Sequence, residues 1–112
     1  IYKNIDTMFK YVEEAMSNMI RVLKDVENVR ETEIMHSHNK EREINNYRNL
    51  LRTENIESIN QKEYNYQSGI FYMDIVCEAE KIGDYIINVV ESVEQLSKVD
   101  EKGNIELSAN HE

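Results

Sequence analysis

The feature that most constrains the fold of this chain is a regular spacing of apolar residues that begins at residue 1. Apolar side chains recur at alternating steps of four and three over the first 29 residues, a spacing that aligns them along one side of an α-helix. They are Ile1, Ile5, Met8, Val12, Ala15, Met19, Val22, Val26 and Val29. A second row widens this stripe, as a bundle helix requires, and we expect both rows in the core. Its members are Phe9, Met16, Ile20 and Leu23.

Two more segments of the same kind follow, separated by polar stretches at residues 28–33 and 60–69. We expect Thr32 to cap a second helix that ends near Ile59, and a third helix to extend from about Tyr66 to Leu96. The chain has no proline and three glycines, which is typical of long helices joined by short turns. We therefore predict an all-α, antiparallel three-helix bundle over residues 1–97 and a polar, mobile tail over residues 98–112.

Composition excludes several classes of function. The net charge of −9 argues against nucleic acid as a partner, because phosphate binding requires a basic surface. No apolar run is long enough for direct membrane insertion by this segment. Cys77 is the single cysteine, which indicates a reducing compartment such as the cytoplasm. The sequence shows neither a nucleophile arrangement nor a glycine-rich phosphate loop, so we do not expect an enzyme.

The segment "AEKIGDYIIN", residues 79–88, combines two features that weaken a helix. Glu80 and Asp84 lie four residues apart and repel each other, and Gly83 between them costs about 1 kcal/mol relative to alanine. If the second and third helices pack about a turn near residues 62 and 63, Glu41 lies level with Asp84 and Asn45 lies level with Glu80. Each helix would then interrupt its apolar side with polar groups at the same height.

Carboxylates that converge in a partly dry position need a compensating positive charge. Carboxylate and amide oxygens suit a divalent cation such as Mg, Mn, Fe or Zn, with Glu80 and Asp84 as its main ligands. Alternatively, Arg42 or Arg48 of a neighbouring subunit pairs with these acidic residues, or the acidic residues form part of a solvated face. The spacing of the residues leaves these alternatives open.

Two stretches resemble PhoU-like domains. "EAEKIGDYIINVVE" is similar to the signature helix of that family, in which a Glu and a basic residue precede Ile-Gly-Asp and an Asn follows. "KEREINNYRNLL" resembles the second helix of the family. The resemblance implies an acidic metal motif, with weaker candidates beside it. The residues at these positions are Glu80, Asp84, Asn88, Glu41 and Asn45.

The resemblance covers one three-helix repeat, about residues 5–96, whereas PhoU proteins carry two. It implies a regulator of phosphate uptake or signalling that binds iron or zinc. The single repeat and the absence of an initiator methionine favour a divergent branch, the cytoplasmic C-terminal domain of bacterial sodium-dependent phosphate cotransporters. The expected partners are then the membrane portion of the same chain, or a phosphate transporter, and a second copy that completes a multinuclear site. Two alternatives are a metal-free helical oligomerisation module and a stand-alone regulator of an ATP-driven transporter.

Overall fold

Three long helices form an antiparallel bundle. The computed structural model describes the backbone of residues 1–101, in which α1 spans Tyr2–Lys24, α2 spans Glu31–Asn60 and α3 spans Tyr66–Glu101. A 3-10 turn at Val26–Asn28 joins α1 to α2, and each helix packs against the other two. The Cα atoms extend over 60 × 26 × 16 Å. The predicted all-α three-helix bundle is confirmed.

Local hydrogen bonds set the ends of the helices. The backbone N–H of Arg30 donates to Glu33 Oε1 at 3.3 Å, so α2 begins at Glu31 and Thr32 lies inside its first turn. The prediction that Thr32 caps this helix is therefore wrong. Asn65 caps α3, because its Oδ1 accepts the Ser68 N–H at 2.8 Å.

The third helix extends further than the periodicity predicted. It continues to Glu101, past residue 97 at which we expected the bundle to end. The remainder of the predicted tail, residues 102–112, lies outside the described residues. No helix of the described part of the chain has both the length and the hydropathy needed to cross a membrane.

The core runs between the three helices and contains much of the predicted apolar row of α1. Met8, Val12, Ala15 and Val22 are buried, as is Val90 on α3. The other buried apolar side chains are distributed along α2 and α3. They are Ile34, Ile44, Leu51, Tyr72, Val76, Ala79, Ile86, Ile87 and Val93.

The second apolar row of α1 is on the surface, contrary to the prediction. Phe9, Ile20 and Leu23 are exposed, and only Met16 of that row is half-buried. Each residue of this row follows a core position by one, which rotates it by about 100° around the helix. With only two other helices in the bundle, no element of the described chain covers that side of α1.

Gly83 marks a close approach of α2 and α3. A Cβ atom on this residue would lie 3.1 Å from Ile44 Cδ1 and 3.6 Å from Ile44 Cγ2, and Ile44 itself is buried. The helix therefore accepts the low propensity of glycine because a side chain would displace the isoleucine of the facing helix.

We expect Gly83→Leu to lower the free energy of unfolding by about 1–3 kcal/mol through overpacking, and Ile44→Ala to lower it by about 2–5 kcal/mol through a cavity. The double variant should lose less than the sum, because the new leucine fills part of that cavity. Urea unfolding followed by circular dichroism measures the three values. Strictly additive losses would show that the two positions are not in contact.

Candidate functional site

An ion pair between α2 and α3 forms the centre of the candidate site. Arg48 Nη1 lies 2.5 Å from Glu80 Oε2, and the two side chains are only 23% and 14% exposed. A charge-assisted hydrogen bond of this kind is stronger than a neutral one, and strongest where water is partly excluded. The positive charge that the sequence required beside Glu80 therefore comes from this same chain.

The close packing at Gly83 explains why this pair forms. Glu80 lies one turn before Gly83 on α3, and Arg48 lies one turn after Ile44 on α2. Because Ile44 rests against Gly83, the next turn of each helix is brought within reach of the other. The long aliphatic stem of Arg48 can then cover apolar surface while its guanidinium reaches the carboxylate.

The five predicted site residues have different surroundings in one copy of the chain. Glu80 is half-buried and paired, Glu41 and Asn45 are half-buried, and Asp84 and Asn88 are exposed. Each step of four residues turns about 40° around an α-helix, so the row that begins at Glu80 leaves the α2–α3 contact by the time it reaches Asn88.

The residue of α2 that lies beside Glu80 also differs from the predicted one. Arg48, about one turn further along α2 than Asn45, is the residue that reaches Glu80. The prediction placed Asn45 there because it assumed a turn centred at residues 62 and 63. In the structure the connection between Asn60 and Tyr66 is centred on residue 63. The contacts Ile44–Gly83 and Arg48–Glu80 show that α2 is offset along α3 by about two or three residues from the predicted pairing.

The donor set does not fit a divalent cation within one copy. Across the described residues, no group of three or more Asp, Glu, His or Cys side chains is arranged to hold a metal ion. His36 is exposed and His38 and Cys77 are half-buried, and none of them joins such a group. Metal binding by the predicted residues stays a prediction that requires donors from outside this copy.

Two polar side-chain atoms of α2 are buried at the ion pair or one turn from it. Asn45 Oδ1 and Arg48 Nε are buried and have no hydrogen-bond partner within the described protein. One is an acceptor and the other a donor, and they lie one turn apart on α2. The contact between α2 and α3 is therefore polar over more than one turn, which an ordinary helical core avoids.

Sequence reasoning missed several buried polar residues. Asn18 is 1% exposed; its Nδ2 donates to Ser37 Oγ and, at 3.3 Å, to the carbonyl oxygen of Glu33. Asn55 is also buried, and its Nδ2 donates to the carbonyl oxygen of Gly69 at 3.3 Å. The position of Asn18 between Ala15 and Val22, at core spacing, is a signal that could have identified it.

A polar cavity lies at the end of the bundle where α1 and α3 begin. Its volume is ≈ 350 Å³, and its lining includes Asn4, Asn55, Tyr64 and Tyr72. Asn4 Nδ2 donates to the Tyr72 hydroxyl at 3.1 Å, and the Tyr64 hydroxyl donates to Asn55 Oδ1 at 2.5 Å. Burial raises the pKa of Tyr72 above its ordinary value, and the hydrogen bond from Asn4 opposes this shift.

The geometry defines a small helical-bundle domain whose acidic motif is held by an internal arginine. The chain belongs to the PhoU domain family, whose family model matches residues 5–93, from the first turn of α1 through most of α3. No curated protein and no solved structure matches the chain. At the level of the family, the function is regulation of phosphate transport or phosphate signalling, and PhoU domains are regulators rather than enzymes.

We expect Arg48→Met to lower the free energy of unfolding by about 1–3 kcal/mol, because it leaves a half-buried carboxylate without its partner. Adding Glu80→Met should restore part of the loss, since two apolar side chains replace the pair. Urea unfolding at neutral pH gives the coupling energy between the two positions.

The matched control is Lys81→Met, which breaks the exposed Lys81–Glu78 pair on the same helix. It should leave the unfolding midpoint unchanged, because water already solvates both charges. A loss from Arg48→Met no larger than that of the control would contradict a stabilising role for the internal ion pair.

The raised pKa of Tyr72 predicts a pH dependence of stability at high pH. Folding favours the neutral phenol, so its contribution is complete below the ordinary tyrosine pKa of about 10 and is lost as pH rises through the higher folded value. The free energy of unfolding should therefore fall less steeply above this pH in Tyr72→Phe than in the wild type. Equal slopes in the two proteins would contradict the assignment.

Proposed function

We propose that this chain is the cytoplasmic regulatory domain of a sodium-dependent phosphate cotransporter, and that it adjusts phosphate transport through contacts of its helix bundle. The observation that carries the proposal is the PhoU domain match over residues 5–93, which coincides with a single three-helix bundle. Its partner would be the membrane portion of the same protein, at the cytoplasmic face of the membrane.

The bundle is suited to act as one rigid unit. Gly83 and Ile44 are in close contact, and Arg48 and Glu80 lock the next turn of the same two helices. A regulator changes a transporter only if it contacts two transporter states with different free energies. A rod that does not deform can transmit such a difference from one end of the bundle to the other, because packed cores resist small displacements.

Metal binding is a separate part of the proposal. A cation of the kind predicted, Fe, Zn, Mn or Mg, would use Glu80 and Asp84 together with oxygen donors of a partner protein, and Arg48 would have to release its carboxylate. Asn88, Glu41 and Asn45 are the weaker candidates. Such an ion would add positive charge at the α2–α3 contact and link the domain to its partner.

The second candidate function is a metal-free helical interaction module. The Arg48–Glu80 pair favours it, since an arginine already neutralises the glutamate.

A further alternative is a stand-alone PhoU-type regulator of an ATP-driven transporter. The complete reading frame that encodes residues 1–112 distinguishes it from the cotransporter domain. Hydrophobic spans upstream of Ile1 support the cotransporter assignment, and a frame without them supports the stand-alone regulator.

Phosphate uptake tests the proposed function. In cells without other phosphate transporters, the full-length protein is compared with a version that lacks residues 5–93, at high and low phosphate supply. We expect the deletion to change the response of uptake to phosphate supply by about fivefold, a typical size for coupling between sites. Leu50→Glu, an exposed change on α2, serves as the control that retains the wild-type response. An unaltered response in the deletion protein would contradict a regulatory role.

A further inference from the structure

Helix α3 carries a second apolar row that the bundle does not cover. Its members recur at steps of four and three, interrupted only by Glu78 and Ser92, and they are 37–69% exposed. Those up to Val89 each lie one residue before a buried position of the same helix. The members of the row are Phe71, Ile75, Ile82, Tyr85, Val89 and Leu96. This spacing over more than three heptads is that of a helix that packs against a further helix.

The exposed row of α1 lies on the same side of the bundle. On α1, the residues that contact α2 include Tyr11 and Asn18, which each precede a core position by one residue. On α3, the residue that contacts α2 is Glu80, which follows the core residue Ala79 by one. The two exposed rows therefore occupy the opposite edges, away from α2, and flank the groove between the parallel helices α1 and α3. We call this surface the α1/α3 face; its α1 members are Phe9, Met16, Ile20 and Leu23.

The α1/α3 face is too large to be an ordinary feature of a monomer. Its residues, most of them 37–69% exposed, together expose on the order of 800 Å², whereas the largest apolar patch on a typical monomer is about 300–600 Å². A standard stable interface buries about 800 Å² on each partner. One copy of the face therefore supplies the area that a dimer requires from each subunit.

We propose that the α1/α3 face binds the same face of a second copy of this chain, which forms a two-fold symmetric dimer. Such an interface is self-complementary, so heptad-spaced Ile75, Ile82 and Val89 of one copy meet an apolar row of the same spacing in the other. A membrane surface is a poorer occupant, since Glu78 lies in the row and the chain carries a net charge of −9. The proposal does not depend on the cotransporter assignment, because it concerns only surfaces of this chain.

Sedimentation velocity with light scattering on the 112-residue chain tests the proposal. We expect a dimer with a Kd of about 10 μM or tighter, within the range found for interfaces of this size. Phe71→Glu with Tyr85→Glu places two charges in the α1/α3 face and should weaken dimerisation by about 100-fold or more. A milder variant, Phe71→Ser with Tyr85→Ser, should weaken it by about tenfold.

The matched control adds the same two charges on α2, as Met35→Glu with Leu50→Glu, at positions that are 59% and 51% exposed. This variant should remain dimeric, and circular dichroism should show wild-type helix content in every variant that is compared. A wild-type chain that stays monomeric at about 100 μM, well above the expected Kd, would overturn the proposal. A dimer that survives both α1/α3 face variants, or one that the control disrupts equally, would overturn it as well. Since this experiment does not involve transport, its outcome is separate from that of the uptake test.

Discussion

The close contact between Gly83 and Ile44 is the constraint on which the rest of the structure depends. Because Gly83 has no side chain, α2 and α3 approach closely enough for Ile44 to be buried. The same approach brings Arg48 within 2.5 Å of Glu80 on the next turn. A bulkier residue at position 83 would separate the helices and leave the glutamate half-buried without a partner, which is costly in a partly dry environment.

The ion pair also determines how the acidic motif can act. Arg48 satisfies Glu80 with one planar, permanently charged group, whereas a divalent cation needs several oxygen donors around it. Among the described residues, no group of three or more Asp, Glu, His or Cys side chains is arranged to hold such an ion, and Asp84 and Asn88 are exposed on α3. In a single chain, the motif that resembles a metal-binding sequence works as a structural contact between helices.

Much of the fold could be predicted from the sequence, because the spacing of apolar residues and the positions of polar, turn-forming stretches depend directly on local structure. The core row of α1, the turn near residue 62 and the polar interruption shared by α2 and α3 all follow from spacing. The partner of Glu80 did not follow, because a shift of one turn in the hairpin replaces Asn45 by Arg48. The exposure of Phe9 and Ile20 could not be predicted either, since an apolar stripe does not reveal how many helices cover it. The family resemblance suggested ligands, but only coordinates show whether they converge.

The central claim is that Arg48 of this same chain neutralises Glu80. Paramagnetic broadening of amide NMR signals by substoichiometric Mn²⁺ tests it most directly, because a bound paramagnetic ion broadens the signals of the residues that surround it. The account predicts that signals of Arg48, Glu80 and Gly83 broaden no more than those of other acidic surface segments. Selective broadening of these three signals, abolished by Asp84→Asn, would contradict it.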